Sequence, residues 1–145
     1  FIGGIKGATT GKVLSLYQTI RAISAAFSVR LGGHPQFIRP LINPMSQAAA
    51  IARYGDLDED TEDQIKGAAA ASENYGNFFA QNVFMGASGT LLIVSTLSEQ
   101  GYAEVTPLNI AMWSIPVAVI SVIVGIIQNR WLDIRLAKKY GNRDK

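Results

Sequence analysis

Residues 73–82 read ENYGNFFAQN, which places three asparagines, a glutamine, a glutamate and a tyrosine at the mouth of an apolar run. The surrounding stretch, 67–129, contains no lysine or arginine. On a helix Glu73, Asn77 and Gln81 share one face, with Asn74 and Asn82 on the neighbouring stripe. Neutral amides desolvate more cheaply than charges and still offer both donors and acceptors. They suit a small polar ligand held away from water. Gly76 permits an unwound step inside this cluster. A broken helix would also explain why the apolar stretch is longer than one span requires. Breaks of this kind expose backbone groups and half-helix dipoles that bind anions and small cations. The other reading of the same residues is hydrogen-bonded contact between neighbouring helices.

A second polar cluster, His34, Gln36, Arg39 and Asn43, lies in the Gly/Pro-rich segment GGHPQFIRPLINP. Arginine beside a membrane is costly and points to function. Arg30 and Arg39 could pair with an acid of the protein, hold a carboxylate in bidentate fashion, or extend to the interface.

Other chemistry is excluded. There is no cysteine, hence no thiol chemistry and no disulfide. KGATTGKV is no phosphate-binding loop, because Lys6 stands where the first glycine belongs and Val13 where Ser or Thr belongs. His34 is the single histidine and has no acid near it in sequence, so no catalytic residue is assigned. The acidic run YGDLDEDTEDQIKG lacks the alternating calcium-loop pattern and reads as a helix start capped by Asp58. A net charge of +2 and a short basic tail argue against nucleic acid.

The elements that position these clusters follow from where the charges fall. Mean hydropathy is only +0.18, but six acids fall within 56–63 and six of the 13 basic residues within 130–145. The stretch 108–127, LNIAMWSIPVAVISVIVGII, carries no charge and crosses about 30 Å as a helix. Trp113 and Trp131 lie toward its ends, as interfacial aromatics do, and Pro116 is placed to kink it. A second apolar stretch, 78–97, begins with polar residues, and Gly86 and Gly89 suit close helix contact. The loop between the two stretches is acidic and the tail is basic, which places the C-terminus in the cytoplasm. The segment 13–52 has both ends on the cytoplasmic side, which fits a re-entrant helical hairpin whose Gly/Pro tip borders a cavity. Two amphipathic cytoplasmic helices joined by a loop would fit it as well. The expected fold is therefore an all-α membrane protein in one domain over 1–145. It comprises a re-entrant hairpin (13–52), a broken helix (59–97), a transmembrane helix (108–127) and a basic tail (128–145).

The strings IKGATTGKVLSLYQTIR, RLGGHPQFIRPLINPM and ENYGNFFAQNVF resemble the C-terminal part of a bacterial inner-membrane family. That family was long described as a domain of unknown function and is assigned as one subunit of a two-subunit 5-oxoproline transporter. The resemblance covers essentially the whole chain. It implies further helices before Phe1, a second membrane subunit as partner, and kinship with the ion-transporter superfamily. The expected function is secondary transport of a small carboxylate, with 5-oxoproline (pyroglutamate) as the substrate. Na+ or H+ would be the coupling ion, and no other cofactor is expected. The expected binding set is His34, Arg39, Asn43, Asn74, Asn77, Gln81 and Asn82. Arg39 would neutralise the carboxylate, and the amides would read a lactam or hold the ion. A homo-oligomer is also compatible. The competing class is a non-transporting scaffold subunit; soluble interaction domains and intramembrane enzymes fit the sequence less well.

Overall fold

The computed structural model describes residues 7–29 and 31–141. Among the described residues the protein is all-helical: α1 (Thr10–Ala26), a π-helical segment (His34–Ile42), α2 (Asn43–Tyr54), α3 (Glu59–Phe78), a short 3-10 turn (Gln81–Val83), α4 (Ser88–Glu99) and α5 (Pro107–Tyr140).

Local sequence explains where these helices begin. Thr9 caps α1 by accepting from Lys12 N at 3.2 Å. Asp58 caps α3 by accepting from Thr61 N at 2.9 Å, and Glu59, Asp60 and Glu62 in the first turn favour the positive end of its dipole. Thr106 and Asn109 form a reciprocal capping box at α5, with Pro107 at the first helical position. Pro35 and Pro40 lack the N–H that an ordinary α-helix requires. The segment between them widens to π spacing, and Asn43 N donates to Ile38 O, five residues back. It runs on into α2 without interruption.

α1 is the central helix and packs chiefly on α3 and α5. It runs antiparallel to α5. Gly11 lies against Asn129 and Asp133, Gln18 against Gly125 and Ser121, and Ala22 and Ala25 pack near Ala118 and Val122. Glycines allow this approach, because a Cβ at Gly11 would strike the Asn129 carbonyl oxygen and one at Gly125 would strike the Gln18 amide. Asp133 serves α1 directly. Its carboxylate accepts from Gly11 N at 2.8 Å and from the Thr9 hydroxyl at 2.6 Å. The start of α1 therefore holds an acid of the protein itself. The main core joins Leu14, Tyr17, Ile38, Ile42, Ile65, Ala69, Leu132 and Leu136.

α5 has 34 residues and is the one helix among the described residues that is long and apolar enough by itself to cross a membrane. Only 11% of its most apolar window is buried. Met112, Trp113, Ile120, Ile123 and Val124 are exposed along it. A core helix of a soluble protein would hide these side chains. The expected tail from 128 is not a separate element, since the same helix continues to Tyr140. Pro116 lies inside it.

α3 and α4 are separated by an irregular segment, 79–87, and bent by 52°. The stretch 78–97 is thus not one helix. Gly76, expected to permit the unwound step, instead sits buried inside α3, and the chain breaks a few residues later. The expected hairpin region consists of α1, the π segment and α2, and all three also pack against α3.

The start of α3 and the end of α5 are clamped together. Lys139 Nζ lies 2.8 Å from Asp58 Oδ2 and also donates to the Thr61 hydroxyl at 2.9 Å. The Tyr140 hydroxyl donates to Asp58 Oδ2 at 2.9 Å. The Lys139 ammonium, followed by the Thr61 hydroxyl and backbone, holds the Asp58 carboxyl well below its ordinary 3.8. A carboxyl with a depressed folded pKa contributes stability above its unfolded value, and loses it as pH falls below about 4. Asn caps helices as well as Asp does, so Asp58→Asn removes the charge and keeps the cap. The melting temperature of Asp58→Asn should lie below wild type at neutral pH, converge with it in acid, and differ from it less in high salt. Parallel melting curves at all pH values would show that the clamp contributes no charge-dependent stability.

Candidate functional site

The segment 13–29 carries one charged residue, Arg21, and the segment 67–98 carries one, Glu73. The fold brings the two together. Arg21 Nε donates to Glu73 Oε1 at 2.8 Å. The Tyr17 hydroxyl, one helical turn before Arg21 on α1, donates to Glu73 Oε2. Arg21 is 7% exposed and Glu73 5%, so the pair is out of water. Opposite charges in otherwise uncharged segments have little choice of partner, because an unpaired buried charge costs several kcal/mol. Gly76 makes the approach possible: a Cβ there would stand 2.9 Å from both the Gln18 carbonyl oxygen and Arg21 Cβ.

Beside this pair lies a polar cleft of about 650 Å³, walled by Arg21, Gln36, Asn77, Gln81 and the start of α4 at Ser88. Its other walls come from the turn after α1 and the break at 79–87. Only Nε of the Arg21 guanidinium is engaged by Glu73; among the described residues its terminal nitrogens make no hydrogen bond. A guanidinium with its terminal donors open can take a carboxylate in bidentate fashion. The α4 start adds backbone N–H groups with no side-chain cap from Ala87.

The depth of the cleft along α5 follows from packing. Ala22, Ala25 and Ala80, which flank it, cluster against Ala118 and Val122. Those two residues stand near the middle of the uncharged stretch 108–127.

The residues singled out in the sequence are divided by the fold. Asn77 and Gln81 line the cleft. His34 Nε2 lies 3.4 Å from Asn74 Oδ1, next in the chain to Glu73. The Asn82 carbonyl accepts from the Thr90 hydroxyl at 3.1 Å, and its buried Oδ1 faces Gly89. Arg39 is exposed on the π segment, and Asn43 accepts from Gln47 at 3.3 Å; neither lines this cleft. Arg30 lies outside the described residues. Sequence reasoning omitted Tyr17, Arg21 and Glu73 from the site. The available signal was the isolation of one cation and one anion in two apolar segments, together with the Glu73–Asn77–Gln81 stripe.

Fold and site together define an all-helical protein with one helix able to cross a membrane and a broken helix at a polar, arginine-walled cleft. The chain belongs to the family described as "Protein of unknown function (DUF969)", which it matches over residues 1–137. This bears out the resemblance to a family long described as a domain of unknown function. No curated protein matches the chain, and no solved structure does.

Proposed function

We propose that this protein is a subunit of a bacterial inner-membrane secondary transporter, and that the cleft beside Arg21 binds a small carboxylate. The observation that carries this reading is the half-engaged Arg21 guanidinium on the wall of a polar cleft at a helix break. Support for its depth comes from Ala118 and Val122, midway along the apolar stretch of α5, because broken-helix transporters bind substrate near mid-membrane. Arg21 holds the carboxylate, the α4 start adds backbone donors, and Asn77 and Gln81 read the polar groups of the rest of the molecule. 5-Oxoproline, with one carboxylate and one lactam, suits this mixture and is the substrate suggested by the sequence resemblance. The exposed apolar faces of α5 and of α1 (Leu16, Ile20, Ile23) would meet lipid and the second membrane subunit. The basic end of α5 would lie in the cytoplasm.

The test is uptake of radiolabelled 5-oxoproline by cells expressing the full-length protein, with and without the second subunit. Uptake should require both and be competed by unlabelled 5-oxoproline. Asn77→Ala should lower uptake about tenfold, the worth of a hydrogen bond to a charged or strongly polar group, with insertion unchanged. Arg39→Ala should change it little. Loss of uptake in Arg39→Ala with retention in Asn77→Ala would move the site to the exposed face of the π segment. Absence of uptake with both subunits inserted would favour the scaffold reading.

A further inference from the structure

We propose that Glu73 is the proton-carrying group of this transporter: a proton on Glu73 releases Arg21 to the substrate carboxylate, so that substrate and H+ bind together. The inference rests on the transport reading above and assigns its coupling ion.

Glu73 already neutralises Arg21 at 2.8 Å. A second carboxylate arriving at the same guanidinium would place two buried anions on one cation. Like charges this close do not both stay ionised in a site shielded from water. Protonating Glu73 removes the conflict without moving either helix. The proton enters on a Glu73 carboxylate oxygen, the charge of Arg21 passes to the substrate, and the proton leaves when the substrate leaves. No bond other than O–H forms or breaks. The Tyr17 hydroxyl stays on Oε2 and keeps the carboxyl oriented.

The surroundings favour a proton over a metal cation. Oε1 faces the guanidinium and Oε2 faces a hydroxyl donor, whereas a bound cation needs several free oxygen ligands. Among the described residues no group of three or more His, Asp or Glu side chains is arranged to hold a metal ion.

The charged and titratable groups around Glu73 are few. α1 supplies Arg21 and Tyr17. The start of the π segment supplies Gly33, whose added Cβ would stand 3.5 Å from Glu73 Oε1, and His34, which contacts Asn74. Arg39, on the same segment, is exposed. α2 has Arg53 and Tyr54, which line a different cavity with Thr9 and Asp133. α5 is uncharged from Pro107 to Asn129, and α4 bears only Glu99 at its exposed end. His34 is therefore the alternative proton carrier and must be controlled.

The experiment measures radiolabelled 5-oxoproline uptake into vesicles holding the complete two-subunit protein, with external pH and sodium varied separately. Wild-type uptake should rise on acidification, by about tenfold per pH unit above the titration point of a single proton. Replacing sodium with choline should leave it unchanged. Glu73→Gln mimics the protonated carboxyl. It should retain exchange of internal for external 5-oxoproline, lose accumulation and show a flat pH profile, while His34→Gln keeps the wild-type profile. Binding gives an independent readout. Adding 5-oxoproline to the complete protein at acidic pH should produce a protonated-carboxyl band in the infrared difference spectrum that is missing in Glu73→Gln. Uptake that is independent of pH but needs sodium, a pH profile lost in His34→Gln and kept in Glu73→Gln, or no Glu73 band would each overturn this inference and leave the transport reading standing. Absence of uptake at every pH would overturn both.

Discussion

Arg21→Ala is expected to lose uptake and, on its own, to destabilise the protein by about 3–5 kcal/mol, the usual consequence of leaving one member of a buried ion pair alone. Glu73, 5% exposed in the intact pair, would keep the Tyr17 hydroxyl as its one remaining partner. Glu73→Ala should be similarly destabilising, since Arg21, 7% exposed in the intact pair, would keep its charge and lose its counter-ion. The double variant Arg21→Met/Glu73→Leu separates structure from function. Apolar replacement of a complete buried pair is often neutral, so melting and insertion should return close to wild type. Uptake should stay absent, because the carboxylate ligand is gone. If the double variant transports normally, the pair is a structural tie and the carboxylate site lies elsewhere. Arg21→Lys keeps the charge and loses the planar fork, and should weaken substrate binding more than it weakens the fold.

The second large effect concerns two glycines and has opposite signs. Gly11→Ala should destabilise, because the added Cβ meets the Asn129 backbone carbonyl and lies 2.6 Å from the Asp133 carboxylate. A backbone atom cannot swing away as a side chain can. α1 and α5 would have to separate, at a cost of about 1–3 kcal/mol for overpacking, and the Asp133 bonds to Thr9 and Gly11 would stretch. Gly67→Ala should stabilise by up to about 1 kcal/mol. Gly67 lies inside α3 with nothing within 4 Å of its added Cβ, so alanine gains helix propensity without a clash. Thermal melting of the two variants in the same detergent checks both signs. Equal tolerance would mean that α1 and α5 do not approach through Gly11.

Much of the architecture was legible because its causes are local. The uncharged stretch 108–127, flanked by acidic and basic segments, can do little except form a long apolar helix. The Asp58 cap, with acids behind it, announces the start of α3. The polar interruption in ENYGNFFAQN lies beside the break between α3 and α4. The end of α5 was less legible, because the basic residues that suggest a tail also stabilise the last turn of a helix. Gly76 was misread for a related reason. Glycine permits both an unwound step and a close approach, and only the presence of Arg21 and Gln18 beside it selects the second.

The site shows the same division. Sequence alone placed the amides of Asn77 and Gln81 on one stripe at the edge of an apolar stretch without lysine or arginine, because their spacing and the missing charges are properties of the string. Tertiary structure alone decided which cation stands with them. Arg39 is close in sequence to a turn and to other polar groups, yet it is exposed. Arg21 is far in sequence from Asn77, yet α1 lies along α3 with Gly76 at the crossing, and this places the guanidinium on Glu73 and on the cleft wall. Pairing across more than fifty residues depends on the register between two helices, which no local pattern encodes.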